Sequence, residues 1–141
     1  MTKEVSIKIK GKQSYPEGEV VETVTESVGD YYLRNGAHYI MFEEKEAGFT
    51  QSTKSMLKVR GGLVELTKKG LVQSNMVFEE GRLHTSEYRT PFGVVPMGVK
   101  TKQVRIQEGE HTLKVQIVYE LLANEERMAD CDICIQVKSK A

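Results

Sequence analysis

The sequence has little alanine, little proline and almost no cysteine: 141 residues include five alanines, three prolines and two cysteines. Scarcity of alanine removes the strongest helix former, and sixteen valines with ten threonines favour a pleated surface instead. Two cysteines cannot staple a disulfide scaffold, and a chain this long buries about two-thirds of its unfolded surface without one. Net charge is also missing, because twenty Lys and Arg balance twenty Asp and Glu; no long-range pull toward a strongly charged partner is announced. No long apolar run occurs. The longest, from Val115 to Ala123, is interrupted by Gln116, Tyr119 and Glu120, far short of the roughly 20 residues of a membrane helix. The start, from Met1 to Lys8, alternates charge with apolar residues and lacks the core of a signal peptide. No Asn is followed two positions later by Ser or Thr. These absences predict a single domain over residues 1–141, in the cytoplasm, with no membrane partner.

What is present is a strand pattern. Twelve glycines, mostly seven to thirteen residues apart, give the turn spacing of a sandwich or barrel. Val5, Ile7 and Ile9 alternate with polar residues, and Val20, Val24 and Val28 mark a second strand. Asn35-Gly36 is the strongest hairpin signal, since a type I′ turn needs positive φ at both central residues. It sets Arg34 opposite Ala37, Leu33 opposite His38, Tyr32 opposite Tyr39 and Tyr31 opposite Ile40. One face of that hairpin then carries Tyr31, Leu33, His38, Ile40 and Phe42, the other Tyr32, Tyr39 and Met41; either could point inward. Gly61-Gly62 separates a strand with Ser55, Leu57 and Val59 from one with Val64 and Leu66. A turn at Glu80-Gly81 separates two further strands; a three-residue loop, Glu80-Gly81-Arg82, would set Phe78 opposite His84 and Met76 opposite Ser86, and a two-residue loop would not. Between Val99 and Val104 the apolar parity changes, as one extra residue in a bulge would cause. Leu113, Val115 and Ile117 alternate in a late strand, and Ile133 and Ile135 in its partner; these five are expected inside. Leu121 to Asp130 reads as the loop joining them. The pattern predicts an all-β fold: a closed antiparallel up-and-down barrel of eight or more strands, favoured over a two-layer sandwich because most breaks read as short hairpin turns and no long crossover is visible.

Little here resembles catalytic chemistry. Cys131-Asp132-Ile133-Cys134 has the CxxC spelling, but strand periodicity turns Cys134 to the face opposite Cys131, whereas redox CxxC pairs sit at helix N-termini. Cys131 reads as a core residue and no metal site is expected. The stretch from Gly93 to Thr101 nearly spells a phosphate loop, yet Val99 intrudes before Lys100 and a strand pattern follows, so a turn with Pro91 and Pro96 is the better reading. His38, His84 and His111 show no ligand or triad spacing. His84 and Tyr88 share a strand face about 13 Å apart at strand rise, too far for a direct hydrogen bond. No catalytic residue and no cofactor is assigned, and a buried acid such as Glu120 beside His84 or Tyr88 would reverse that reading.

Ser74, Met76 and Phe78 share a face, as do His84, Ser86, Tyr88 and Thr90. Joined across a three-residue loop and facing inward, the two sets would line a barrel interior with a few polar groups among apolar ones, the composition of a small-molecule site; facing out, they are an ordinary amphipathic strand, the commoner case for polar residues. A barrel plugged by Phe and Leu side chains would oppose that. The second reading is an interaction module with a solid core, acting through its outer surface. Its basis is charge segregation: residues 17–46 carry eight acids and two bases, residues 47–105 ten bases and four acids. The acids of one copy could meet the bases of another in a homodimer. Nucleic acid is not expected as a partner, since zero net charge supplies no attraction to phosphate.

Tyr31-Tyr32-Leu33, Phe42-Glu43-Glu44, Ser74 to Gly81, Ser86 to Gly93 and Gly98-Val99-Lys100-Thr101 together resemble the YwiB-like family of small bacterial proteins, over about Val5 to Lys138. The resemblance implies a calycin-like barrel, the architecture of lipocalins and fatty-acid-binding proteins, in a bacterial cytoplasm, with no established activity. The sequence departs from that family in a loop at Ala47 and Gly48 that looks shortened, and in its two cysteines.

Overall fold

The computed structural model of the chain describes residues 1–45 and 52–140. Ala47 and Gly48, the site of the expected shortened loop, lie outside them. Ten strands follow in chain order: β1 (Glu4–Ser14), β2 (Val20–Arg34), β3 (Ala37–Lys45), β4 (Ser52–Arg60), β5 (Leu63–Lys69), β6 (Ser74–Glu79), β7 (Leu83–Thr90), β8 (Gly93–Glu108), β9 (Thr112–Ala123) and β10 (Glu126–Ser139). All are antiparallel, and they lie side by side in the order β6-β5-β4-β3-β2-β1-β10-β9-β8-β7. Each ladder but one joins neighbours in the chain. The exception brings the two ends together as β1 on β10, from Val5 opposite Ser139 to Ser14 opposite Asp130. Among the described residues there is no helix. The sheet rolls into a nearly closed barrel.

Local chemistry explains the turns. At Asn35-Gly36 the φ angles are 52° and 77°, and the ladder runs Arg34–Ala37, Leu33–His38, Tyr32–Tyr39, Tyr31–Ile40, as the sequence predicts. The structure also decides the face: Tyr31, Ile40 and Phe42 are buried, while Tyr32 and Met41 are exposed. The parity change in β8 is a bulge, with the register on β9 shifting between Thr101 and Gln103. Leu121 to Asp130, expected as a loop, is mostly strand. The turn is only Asn124 and Glu125, with φ of 51° and 68°, and a second bulge between Arg127 and Ala129 scrambles the parity that would have revealed the start of β10. Pro96, expected in a turn, lies within β8 opposite Glu87, and its carbonyl accepts the Asn124 N–H at 3.0 Å.

The expected β6–β7 hairpin does not form. Between these strands the described residues share one bridge, Gln73 with Arg89. Extending that bridge along both strands would set Phe78 opposite His84, but among the described residues no ladder forms there. The turn is taken by β8 instead: the Gly81 N–H donates to the Thr101 carbonyl at 2.9 Å, the Thr101 N–H to the Arg82 carbonyl at 3.1 Å, and the Val104 N–H to Glu80 Oε1 at 3.2 Å. Pulled onto the β8 bulge, the turn leaves β6 and β7 as a seam.

Side chains fill the half of the barrel at the end holding both termini and the Asn35–Gly36 turn. Phe78, Ile7, Ile40, Leu57, Leu113, Ile117, Val59 and Val64 are each fully buried, and each such side chain contributes roughly 1.5–3 kcal/mol on leaving water. Leu113, Val115, Ile117 and Ile135 are inside as expected, and Ile133 packs partly buried against them. Toward the other end the inner face becomes polar and wet: Thr23 and Thr25 are exposed, and Ser27, Ser74, Ser86 and Tyr88 are half-buried.

Candidate functional site

The residues expected to line a ligand cavity divide. Phe78 is core, 1% exposed, with its ring 4.9 Å from that of Tyr119 in an edge-to-face contact. Met76 packs partly buried against that core. Ser74, His84, Ser86, Tyr88 and Thr90 are half-buried on the same side of β6 and β7, facing one another across the seam. His84 Nε2 lies 3.0 Å from Glu79 Oε1 with both side chains well exposed. Glu79 is therefore not a buried acid, and Glu120 is directed elsewhere, opposite Lys100 and Asp130.

The closed end holds a constellation the sequence did not suggest. The Tyr31 hydroxyl and His38 Nδ1 are 2.6 Å apart, and His38 Nε2 is 3.0 Å from Glu108 Oε1. With Nε2–H donating to the carboxylate, Nδ1 accepts the phenol proton. Tyr31 and His38 come together because the hairpin places them on one face; Glu108 arrives from the end of β8. Burial, and then the Glu108 charge, push the Tyr31 phenol above its ordinary pKa of 10.0. A phenol held neutral is a poor nucleophile, so the three residues read as a cap tying β2, β3 and β8. Burial likewise raises the pKa of Tyr119 and of the Cys131 thiol, which leaves Cys131 inert as a thiolate nucleophile. Both cysteines are free, Cys131 buried and Cys134 half-buried. Among the described residues no His, Cys, Asp or Glu cluster could hold a metal.

A cleft lies in another wall. β2 pairs with β3 only as far as Gly29 opposite Phe42 and then diverges, although β2 continues back to Val20 and β3 forward to Lys45. Gly29 permits the close contact at this parting, since a Cβ there would stand 2.2 Å from the Met41 carbonyl oxygen. The divergence leaves a cleft of about 820 Å³. Its apolar surface is Val28, Met41 and Met56; Glu26, Asp30 and Glu43 stand on one side, Lys54 and Lys69 on the other. Ser55 also borders it. The Ser55 hydroxyl and that of Thr53 two residues before it are buried without a hydrogen-bond partner among the described residues. Buried hydroxyls are ordinarily satisfied by water or another polar group. Nothing in the local pattern marked this site, because the end of a ladder is set by backbone divergence.

A ten-stranded, nearly closed antiparallel barrel with one filled end and one wall parted defines a class of architecture without naming a chemistry. The chain belongs to the family described as a domain of unknown function, DUF1934, whose model matches residues 7–135. A curated relative, the uncharacterized beta-barrel protein YwiB of Bacillus subtilis (strain 168), is 27% identical over 110 residues, 77% of this chain and 74% of the relative. A crystal structure of the ywiB protein from Bacillus subtilis superposes with a TM-score of 0.82 at 20% identity, covering 99% of this chain and 93% of that one. That likeness carries the fold. Among the described residues no helix is long and apolar enough to cross a membrane.

Proposed function

We propose that this protein is a non-catalytic binding barrel of the bacterial cytoplasm, related in manner to calycins, and that it takes a small apolar or amphipathic molecule in the cleft where β2 leaves β3. The observation that carries the reading is the cleft itself: about 820 Å³, with an apolar surface of Val28, Met41 and Met56 between acidic and basic sides, within the size range of small-molecule sites. The deep interior is a poorer place, because Phe78, Leu57 and Leu113 fill its closed half. Ser74, Ser86, Tyr88 and Thr90, at the open end, become a secondary surface.

Native mass spectrometry of protein purified from its own host tests this. A retained small molecule, lost in a Met56→Glu variant that still folds, is the expected result. Protein that never carries a bound mass and shows no thermal shift with amphiphiles would reject the reading. The filled closed end also favours the second reading, in which the barrel acts through its outer wall, and the register of that wall gives it definite form.

A further inference from the structure

The outward side chains of β3 and β4 stand in three facing rows: Glu43 opposite Lys54, Met41 opposite Met56, and Tyr39 opposite Lys58. The middle row is apolar, with Met41 45% exposed and Met56 half-buried, and it separates two clefts of about 820 and 850 Å³ that both include Met41 and Met56. Lys58 already lies 5.5 Å from the Tyr39 ring centroid within the chain. Each row therefore has a complementary left and right half.

We infer that this face is a two-fold interface, and that its occupant is a second copy of this chain. A two-fold axis lying in the contact plane, parallel to the strands and between β3 and β4, lays β3 of one copy on β4 of the other while keeping every residue at its own level. Glu43 then meets the partner's Lys54, Met41 meets the partner's Met56, and Tyr39 meets the partner's Lys58. Each contact occurs twice. The rows continue outward: Tyr32 is level with Tyr39, and Glu65 with Lys58, so the Tyr32 hydroxyl comes over the partner's Glu65. The other in-plane axis, across the strands through Met41, would set Lys54 on the partner's Lys58 and is rejected by like charge. Charge complementarity thus selects one arrangement, in which apolar Met41 and Met56 are central and the charges peripheral. The inference does not rest on a ligand in the neighbouring cleft.

Sedimentation equilibrium of the full chain, with charge reversals on both sides of the axis, provides the test. Wild type is expected to dimerise, more weakly as salt rises. Glu43→Lys and Lys54→Glu each make both copies of one contact repulsive, and each alone is expected to weaken the dimer by about tenfold or more. Mixing the two variants sets every altered charge against an opposite one and is expected to restore association. Restoration also shows that both variants fold. Wild type that stays monomeric at every concentration, or variants that dimerise as wild type does, would overturn the inference. Loss of a retained small molecule with no change in mass average would leave the ligand reading standing and remove this one.

Discussion

The two ends of the barrel are built from the same ten strands and differ in almost every other respect. At the closed end the termini meet, the Lys140 N–H donating to the Glu4 carbonyl at 3.0 Å and the Thr2 N–H to Ser139 Oγ at 3.1 Å. Tyr31, His38 and Glu108 tie three strands there, and the inner positions are apolar and buried. Toward the open end the inner face carries Thr23, Thr25, Ser27, Ser74, Ser86 and Tyr88 beside the buried Ala129 and Thr53, and the wall parts at the β2–β3 divergence. Hydrogen bonding of the backbone extends over both ends, so ladders alone do not explain the contrast. Inner side-chain chemistry does. Stability resides where apolar side chains meet.

Truncating a side chain at each end sharpens the comparison most. Leu57→Ala, at a fully buried closed-end position, is expected to cost roughly 2–5 kcal/mol of unfolding free energy, as buried Leu→Ala changes do. Leu121→Ala, half-buried near the open end, is expected to cost about 1 kcal/mol, near the average for single substitutions. Urea denaturation compares them directly. Equal losses would mean that the open end is packed as tightly as the other.

A smaller effect is expected in alkali. The folded chain holds Tyr31 and Tyr119 neutral above the ordinary phenol pKa of 10.0. A group whose pKa is raised on folding keeps its stabilising contribution below the unfolded value and loses it as pH climbs past that value. Stability is therefore expected to show no loss from these two residues up to about pH 10 and to fall beyond it. Tyrosinate absorbance followed together with circular dichroism should show their ionisation coinciding with unfolding. A Tyr119→Phe variant that keeps the same alkaline transition would show that this phenol is not responsible.

The smallest expected change is at Thr53. Its hydroxyl is buried with no partner among the described residues, so Thr53→Val, which keeps the shape and removes the polar atom, is expected to leave the melting temperature unchanged or raise it, by up to about 1 kcal/mol in stability terms. A clear loss in thermal unfolding would reveal that the hydroxyl is satisfied, by water or by a bound molecule.

How much of this was legible beforehand follows the distance between the residues involved. The Asn35–Gly36 hairpin could be written pair by pair, since its turn chemistry fixes both strands from within. The β8 bulge could be seen because parity is a property of one strand. The β6–β7 seam could not, because its turn is claimed by Thr101 and Val104, and nothing near Gly81 signals that competition. The Leu121–Asp130 segment was misread because Asn124-Glu125 lacks the glycine that usually marks a tight turn and because the Arg127–Ala129 bulge breaks the alternation. Of the seven residues proposed to line a site, Phe78 is core and the others lie along the seam. The cleft beside Met41 and Met56 arises from divergence of β2 and β3, which no short pattern records. The charge segregation is visible in the sequence, but only the register of β3 on β4 shows that its acids and bases stand in facing rows.

The β1–β10 ladder, in which Val5 sits opposite Ser139, also shapes how the chain reaches its fold. All its other ladders can zip between neighbours, while this one needs the first and last strands of the chain at once, and closing so long a loop carries the largest entropy cost in the molecule. The β1–β2 pairing is local, whereas the other edge of β1 stays bare until β10 is in place. Until that ladder forms, β1 carries an unpaired margin along Val5, Ile7 and Ile9, an edge of the kind that invites pairing with another chain.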